Sequence, residues 1–215
     1  MYKLPKYITA EFEEVVAFMQ AHPFIIITCM GSNDFPVATH VPVLLEKKEN
    51  KIFLQCHVMR GTDHADALLK NTKALCIFSG AHSYVSASWY EKKNVGSTWN
   101  YKAVHATGIL RVLNCEELVT QLTKLTEKYE GGQSGESLVE NMEKGYVEKM
   151  MQAIVGFEIE LTAIPHVFKL SQEKSAKDFD NIQNQLRAQK NADAAIVADD
   201  MMKARQTLQS KKIQE

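Results

Sequence analysis

The sequence predicts a mainly β protein, with an antiparallel sheet that closes into a barrel, flanking helices and a C-terminal helical tail. Between residues 24 and 113 the chain is a series of short segments rich in β-branched and aromatic residues, most of them separated by turn-forming residues. From Ser175 onward, apolar residues recur at helical spacing instead. Together the two patterns indicate one antiparallel sheet followed by helices.

The expected elements follow in chain order. A first helix begins after Thr9, whose side chain can cap it, and ends at His22, because the residue before a proline is disfavoured in a helix. Six β segments come next, at 24–30, 36–45, 51–58, 73–79, 84–88 and 101–113. A short helix at 62–69 lies between the third and the fourth.

The second half of the chain reads as helices around two more strands. Asn114 and Glu117 are spaced as a capping pair and predict a helix to residue 129. A glycine-rich loop at 131–135, a short helix at 146–152 and strands at 154–161 and 167–170 follow. The tail has two helices that meet near Asn191, with apolar stripes at Phe179, Ile182 and Leu186 and at Val197, Met201, Ala204 and Leu208.

Length and charge restrict the function classes. The 215 residues fit one domain at 1–172 with an appended tail at 173–215. The net charge of -1 gives no overall attraction to nucleic acid, so a DNA-binding surface would have to be local. No secretory signal or CxxC spacing occurs, and the longest apolar run, at 24–27, is too short to cross a bilayer. We therefore expect a cytoplasmic protein with reduced thiols and no membrane partner.

Two stretches carry residues that packing alone does not require. The first, ATHVP at 38–42, contains a proline that indicates an edge strand or a strand facing a ligand. In the second, CHVMRGTDH at 56–64, a strand ends, a glycine allows a turn and a helix begins. Backbone N–H groups at a helix start and the guanidinium of Arg60 suit an anion, whereas a surface arginine without a ligand is the alternative.

A third stretch concentrates aromatic side chains. Both tryptophans and three of the seven tyrosines fall between residues 79 and 105. Flat rings beside small hydroxyl side chains suit a planar heterocycle or a subunit interface. An aromatic core cluster is the alternative that the pattern leaves open.

Other chemistries lack their usual patterns. The seven histidines form no HxH, HxxxH or HExxH spacing, so we expect no metal site. GxSxG, GxxxxGK and GxGxxG do not occur either, which removes the usual support for hydrolases, P-loop proteins and Rossmann folds.

The three stretches, in this order, resemble the PaiB-like family of FMN-binding negative transcriptional regulators. That family is related to pyridoxamine-phosphate oxidases and flavin reductases of the split-barrel type. The resemblance covers residues 1 to about 203, and the long aromatic block is its most specific part. The matching segments are ATHVP at 38–42, HVMRG at 57–61, GAHSYVSASWY to TWNYKAVHATG at 80–108, AIVGFEIEL at 153–161 and FKLSQEKS at 168–175.

The resemblance implies a six-stranded antiparallel split barrel that is a homodimer, with two FMN sites in the groove between the subunits. By position it makes Arg60 the phosphate ligand, helped by Gly61 and Thr62. The other cofactor residues that we expect from it, in either subunit, are Thr39, His40, Val41, His57, Phe78, Ser79, Gly80, Trp99, Asn100, Lys169, Ser171 and Gln172.

Three functions stay open at this point. The resemblance implies a repressor with promoter DNA as a partner, but the eight basic and seven acidic residues of 173–215 nearly cancel, and no glycine turn joins its helices. An FMN-dependent oxidoreductase acting on a small molecule is the second function, and a non-catalytic flavin sensor is the third. The sequence leaves enzymatic activity undecided.

Overall fold

The computed structural model describes residues 1, 4–8, 10–131 and 137–214, with side chains up to residue 207. The predicted cap Thr9, the loop at 132–135 and the side chain of Leu208 lie outside the described residues. The helices are α1 Phe12–Ala21, α2 Asp63–Lys70, α3 Cys115–Glu130, α4 Lys144–Ala153, α5 Ala176–Ala188 and α6 Ala192–Gln214. The strands are β1 Phe24–Met30, β2 Pro36–Pro42, β3 Leu44–Lys48, β4 Lys51–Met59, β5 Lys73–Val85, β6 Thr98–Val112, β7 Ile154–Ala163 and β8 His166–Lys169.

The predicted fold class, an antiparallel sheet with flanking helices and a helical tail, is confirmed. The strand count and the closure are corrected: the described residues form eight strands rather than six, in the order β2-β1-β5-β6-β7-β4-β3 with β8 beside β6, and this sheet is not closed. The predicted segment at 36–45 divides because the N–H of Val43 bonds to the carbonyl of Pro23 at 2.8 Å. Pro36 and Pro42 donate no ladder hydrogen bond, which suits β2 to the sheet edge.

The predicted separate strand at 84–88 is wrong. The chain stays extended from Lys73 through Val85 as one strand, β5. Ser86 then ends the strand, because its hydroxyl accepts from the N–H of Ser88 and caps a 3-10 turn at Ala87–Trp89. The predicted short helices correspond to α2 and α4, and the predicted break in the tail falls between α5 and α6.

The chain divides into two compact units. The central unit comprises Ala17–Phe78 and His105–Ile164, and the terminal unit comprises Met1–Val16, Ser79–Val104 and Pro165–Glu215. The tail therefore belongs to a unit that also contains parts of β5 and β6. The proposed boundary between residues 172 and 173 stays a prediction.

Alternating burial builds the core of the central unit. Every second residue of β1 and β4 is buried, among them Ile27 and Leu54, and β7 is buried without a break from Val155 to Ile159. Helix α3 covers the other face of the sheet with Leu118, and it comes so close that a Cβ on Gly156 would lie 2.8 Å from the Leu118 side chain. The capping pair predicted for α3 is confirmed.

The tail forms the core of the terminal unit. Phe179, Ile182 and Leu186 of α5 are buried, as are Val197 and Met201 of α6. Lys102 of β6 pairs with Asp200 of α6 at 2.6 Å. The tail thus packs onto β6 rather than extending into solvent. No helix among the described residues is long and apolar enough to cross a membrane.

Candidate cofactor site

The turn after β4 has the geometry that an anion ligand needs. Strand β4 ends at Met59, and Gly61 has a φ of +71°, a left-handed conformation that glycine adopts without strain. The N–H of Arg60 is held by the carbonyl of Ala153 at 2.9 Å. The side chain of Arg60 is exposed, and its guanidinium makes no hydrogen bond or ion pair with another described residue. The turn therefore presents a cation that is free to bind a ligand.

The start of α2 contributes less to an anion site than the sequence indicated. The hydroxyl of Thr62 donates to the carbonyl of Met59 at 2.9 Å and accepts from the N–H of Ala65 at 3.3 Å. Asp63 accepts from the N–H of His64 at 2.8 Å, and Asp66 adds a second carboxylate to the first turn. Because these groups already stabilise the helix start, Arg60 is the main anion ligand that the turn offers.

Strand β2 contacts the two elements that flank this turn within the central unit. Helix α2 packs against β2, and β2 also approaches β4. Along β2, Thr39 is half-buried, His40 is exposed and Val41 is buried. The ring of His40 stacks on Phe24, with centroids 5.8 Å apart and planes at 28°. The structure thus packs the strand of the ATHVP stretch against the two elements that flank the Arg60 turn, and it leaves a pair of flat rings uncovered.

His57 faces α3. Its Nδ1 lies 3.3 Å from the side-chain nitrogen of Gln121, and burial lowers the pKa of His57 below its ordinary value. Gln121 is fully buried, and its side-chain oxygen has no hydrogen-bond partner among the described residues. These contacts tie β4 to α3, so the neighbour of His57 is a helix rather than the open side of the Arg60 turn.

The residues expected from β5 are divided between the units. Phe78 is fully buried in the central unit. Ser79, which is exposed, and Gly80, which is half-buried, belong to the terminal unit.

A second group of expected residues meets in the terminal unit. Tyr101 of β6 pairs with Lys169 of β8, and the ammonium of Lys169 donates to the hydroxyl of Thr98. Burial lowers the pKa of Lys169. Trp99 is 51% exposed and lies 5.8 Å from the rings of both His82 and Tyr84.

Other members of this group bond to the protein itself. The hydroxyl of Ser171 donates to the side-chain oxygen of Asn100, and both residues are buried. The side chain of Gln172 accepts from the N–H of Leu170 and donates to the carbonyls of Phe168 and Lys6, each at 2.7 Å. Asn100, Ser171 and Gln172 therefore fix the turn after β8.

A buried charge cluster was not found by sequence reasoning. Glu158 of β7 accepts from Gln55 of β4 at 2.8 Å and from Arg111 of β6 at 2.6 Å. Burial alone would raise the pKa of Glu158, but these hydrogen bonds outweigh it and lower the pKa. A glutamate at an otherwise apolar strand centre was the available signal. Its partners depend on the register between three strands.

The part of the chain that the structure describes offers no cluster of metal ligands. Among the described residues, no three His, Cys, Asp or Glu side chains are grouped so that they could hold an ion. The four cysteines are unpaired, and Cys29, Cys56 and Cys76 are buried. The residues present do fit FMN: a dianionic phosphate suits an unpaired arginine on a left-handed turn, and a flavin ring suits exposed flat side chains on the neighbouring strand.

Comparison with solved structures identifies the fold. The FAD and heme binding protein of Mycobacterium smegmatis is 14% identical with a TM-score of 0.56, over 75% of this chain and 72% of that one. The flavocytochrome Anf3 of Azotobacter vinelandii is 16% identical with a TM-score of 0.53, over 79% of this chain and 73% of that one. At such identities the likeness concerns the fold alone, which is that of the split-barrel flavoproteins.

Comparison of sequences defines the family. Residues 1–163 match the family model described as "Putative FMN-binding domain". "Protease synthase and sporulation protein PAI 2" of Bacillus subtilis (strain 168) is 33% identical over 199 residues, which cover 91% of this chain and 94% of that protein. The chain therefore belongs to this FMN-binding family, is PaiB-like, and has FMN as its cofactor.

Proposed function

We propose that the protein is an FMN-binding regulator of the PaiB type that works as a homodimer in the cytoplasm. One observation carries this proposal: the Bacillus subtilis relative matches 91% of the chain, and its name describes it as a "Protease synthase and sporulation protein". The unpaired cysteines are compatible with a reducing compartment. Bound FMN supplies electron-transfer chemistry.

In this proposal the central unit holds the phosphate. Arg60 binds it through a planar fork of donors, and Gly61 and Thr62 shape the turn that presents that fork. Thr39, His40 and Val41 meet the polar edge of the ring, because β2 packs against α2 and β4, which flank the turn. Asn100 and Ser171 act as positioning residues, since their polar groups bond to each other.

Exposed apolar side chains support a dimer. Phe24 is 66% exposed and Phe35 is 76% exposed in the central unit, and Tyr84 and Trp99 are exposed in the terminal unit. Aromatic side chains are enriched in subunit interfaces, and large exposed apolar patches mark interaction sites. Light scattering should give twice the chain mass at micromolar concentration with FMN present. A monomer mass would exclude the dimer.

Promoter DNA is the partner that a regulator would require, and the charges of the tail bear on where it would bind. Arg187 pairs with Asp199 at 2.6 Å, and Arg205 pairs with Asp180 at 3.0 Å. These pairs neutralise basic side chains that DNA phosphates would otherwise attract. We therefore expect Arg187 and Arg205 to contribute little to DNA binding.

The test separates a regulator from an enzyme. The visible spectrum of the purified protein is recorded before and after FMN is added, and the FMN-loaded protein is then titrated with DNA from upstream of its own gene at two salt concentrations. Salt-dependent binding that prefers this DNA to an unrelated fragment supports the regulator. Steady NAD(P)H oxidation without DNA binding would show that the protein is an oxidoreductase instead of a regulator. FMN binding with neither activity would favour the non-catalytic flavin sensor.

A further inference from the structure

We propose that the central unit carries a second ligand site, apart from the FMN residues, for a small apolar molecule with one carboxylate, such as a medium-chain fatty acid. The site is a cleft of about 430 Å³ between strands β1, β5, β6 and β7. This volume lies within the range of about 300–1,000 Å³ that is usual for small-molecule sites. No residue that we expect to bind FMN lines the cleft.

Small and apolar side chains form the walls. Leu75 and Ile109 line the cleft, together with the smaller side chains of Cys29 and Ala74. Burial raises the pKa of the Cys29 thiol, which therefore stays neutral and adds to the apolar surface. Such a lining favours the hydrocarbon part of a ligand.

A strand irregularity shapes one wall. The register between β6 and β7 shifts between Thr107 and Gly108. A Cβ on Gly108 would lie 2.5 Å from the carbonyl oxygen of Glu160, so the backbones approach here as only glycine allows. The hydroxyl of Thr162 donates to the carbonyl of Thr107 at 3.1 Å and closes the irregular stretch. Backbone contacts and this side-chain bond therefore build the wall without help from a ligand.

Lys73 determines the charge of the ligand. Among the described residues that line the cleft it alone is charged, and its side chain is exposed. The ammonium of Lys73 forms no ion pair with a carboxylate of any described residue. Thr28 and Thr107 line the same cleft. A carboxylate head group on an apolar body complements this arrangement.

The cleft is distant from the Arg60 turn along the sheet. Arg60 bonds to Ala153, beside the start of β7 at Ile154, whereas the cleft reaches Thr162 near its end. Eight residues of strand at about 3.3 Å each separate Ile154 from Thr162, or roughly 26 Å. A ligand in the cleft and a phosphate on Arg60 can therefore be bound at the same time.

Calorimetry on the FMN-loaded protein tests the site, with decanoate as the probe and decanol and decylamine for comparison. We expect saturable binding of one decanoate per chain and weaker binding of the other two. Lys73→Gln should weaken decanoate about tenfold and leave decanol unchanged, because it removes one charge-assisted contact. Lys70→Gln, which changes an exposed lysine outside the cleft, should bind decanoate like the wild type. Thr107→Trp should fill the cleft and abolish the binding of both.

Several outcomes would overturn the proposal. If decanoate binding does not saturate, the cleft is not a specific site. If decanoate binds equally to wild type and Lys73→Gln, Lys73 does not select a carboxylate. If wild type binds no decanoate and Thr107→Trp dissociates a dimer, a second copy of the chain covers the cleft instead. FMN titrations of all the variants should match the wild type. A loss of decanoate binding can therefore be distinguished from a loss of FMN binding.

Discussion

The hydroxyl of Ser171 donates a hydrogen bond of 3.0 Å to the side-chain oxygen of Asn100, a residue 71 positions away in the sequence. The amide nitrogen of Asn100 in turn donates to the sulfur of Met201 at 3.4 Å. Ser171 has a φ of +56°, which is unusual for a residue with a side chain. Asn100 therefore joins β6, the turn after β8 and α6 inside the terminal unit.

Removing this junction should destabilise the fold. Asn100→Ala leaves the buried hydroxyl of Ser171 without its acceptor, so the free energy of unfolding in urea should fall by about 1–3 kcal/mol. Ser171→Ala should cost stability as well, and Ser171→Gly should recover part of that loss because glycine favours the positive φ. Unchanged stability with weakened FMN binding would instead make Asn100 a direct cofactor contact.

Arg60 should determine the affinity for the phosphate of FMN. A hydrogen bond to a charged group contributes about 1.5–3 kcal/mol, so Arg60→Ala should weaken FMN roughly tenfold or more. Arg60→Lys should recover only part of this, because lysine keeps the charge and loses the planar fork. Riboflavin should bind wild type and variants alike in a fluorescence titration.

Arg187→Ala, which removes an exposed arginine from α5, serves as the matched control and should leave FMN affinity unchanged. If Arg60→Ala weakens riboflavin as much as FMN, the residue supports the fold and the phosphate site lies elsewhere.

The buried stripe of the tail should matter for stability, and the exposed face of the tail should not. Ile182 is 0% exposed and Ile196 is 49% exposed, so two Ile→Ala variants in neighbouring helices differ chiefly in burial. Ile182→Ala should lower the free energy of unfolding by about 2–5 kcal/mol, and Ile196→Ala should change it by about 0.5 kcal/mol or less. Equal melting temperatures for the two variants would contradict the docking of α5.

Acid should weaken the start of α3. Hydrogen bonds from Arg111 and from the backbone of Asn114 lower the pKa of Glu117 from its ordinary 4.5 to about 2. A carboxylate with a lowered pKa in the folded state stabilises fully above its unfolded pKa, and this stabilisation is lost as the pH falls towards the folded pKa. The contribution of Glu117 should therefore disappear between about pH 4.5 and about pH 2.

Glu117→Gln tests this assignment, because glutamine keeps the reciprocal cap of α3 and removes only the charge. Urea midpoints at several pH values should decline less steeply for the variant over that window. Identical slopes for the two proteins would mean that other carboxylates account for the acid sensitivity.

Local signals in the sequence were sufficient where neighbouring residues determine the structure. The Asn114–Glu117 cap, the turn at Gly61 and the exposed position of the strand that contains Pro42 all follow from side-chain chemistry within a few positions. The cluster of Glu158 with Arg111 and Gln55 could not be predicted, because it depends on the register of three strands. His57 shows the same limit: alternation along β4 gives two faces, but which face α3 covers is a long-range property.

The three-part composition of the terminal unit has a consequence for synthesis. The side chain of Gln172 holds the carbonyl of Lys6, which is 166 residues earlier in the chain. At about 5–20 residues per second, a ribosome needs roughly ten to thirty seconds between the two. The segment Met1–Val16 is therefore synthesised well before Gln172, and most of the central unit is synthesised in between. A chaperone that shields this segment would act before Gln172 has been synthesised.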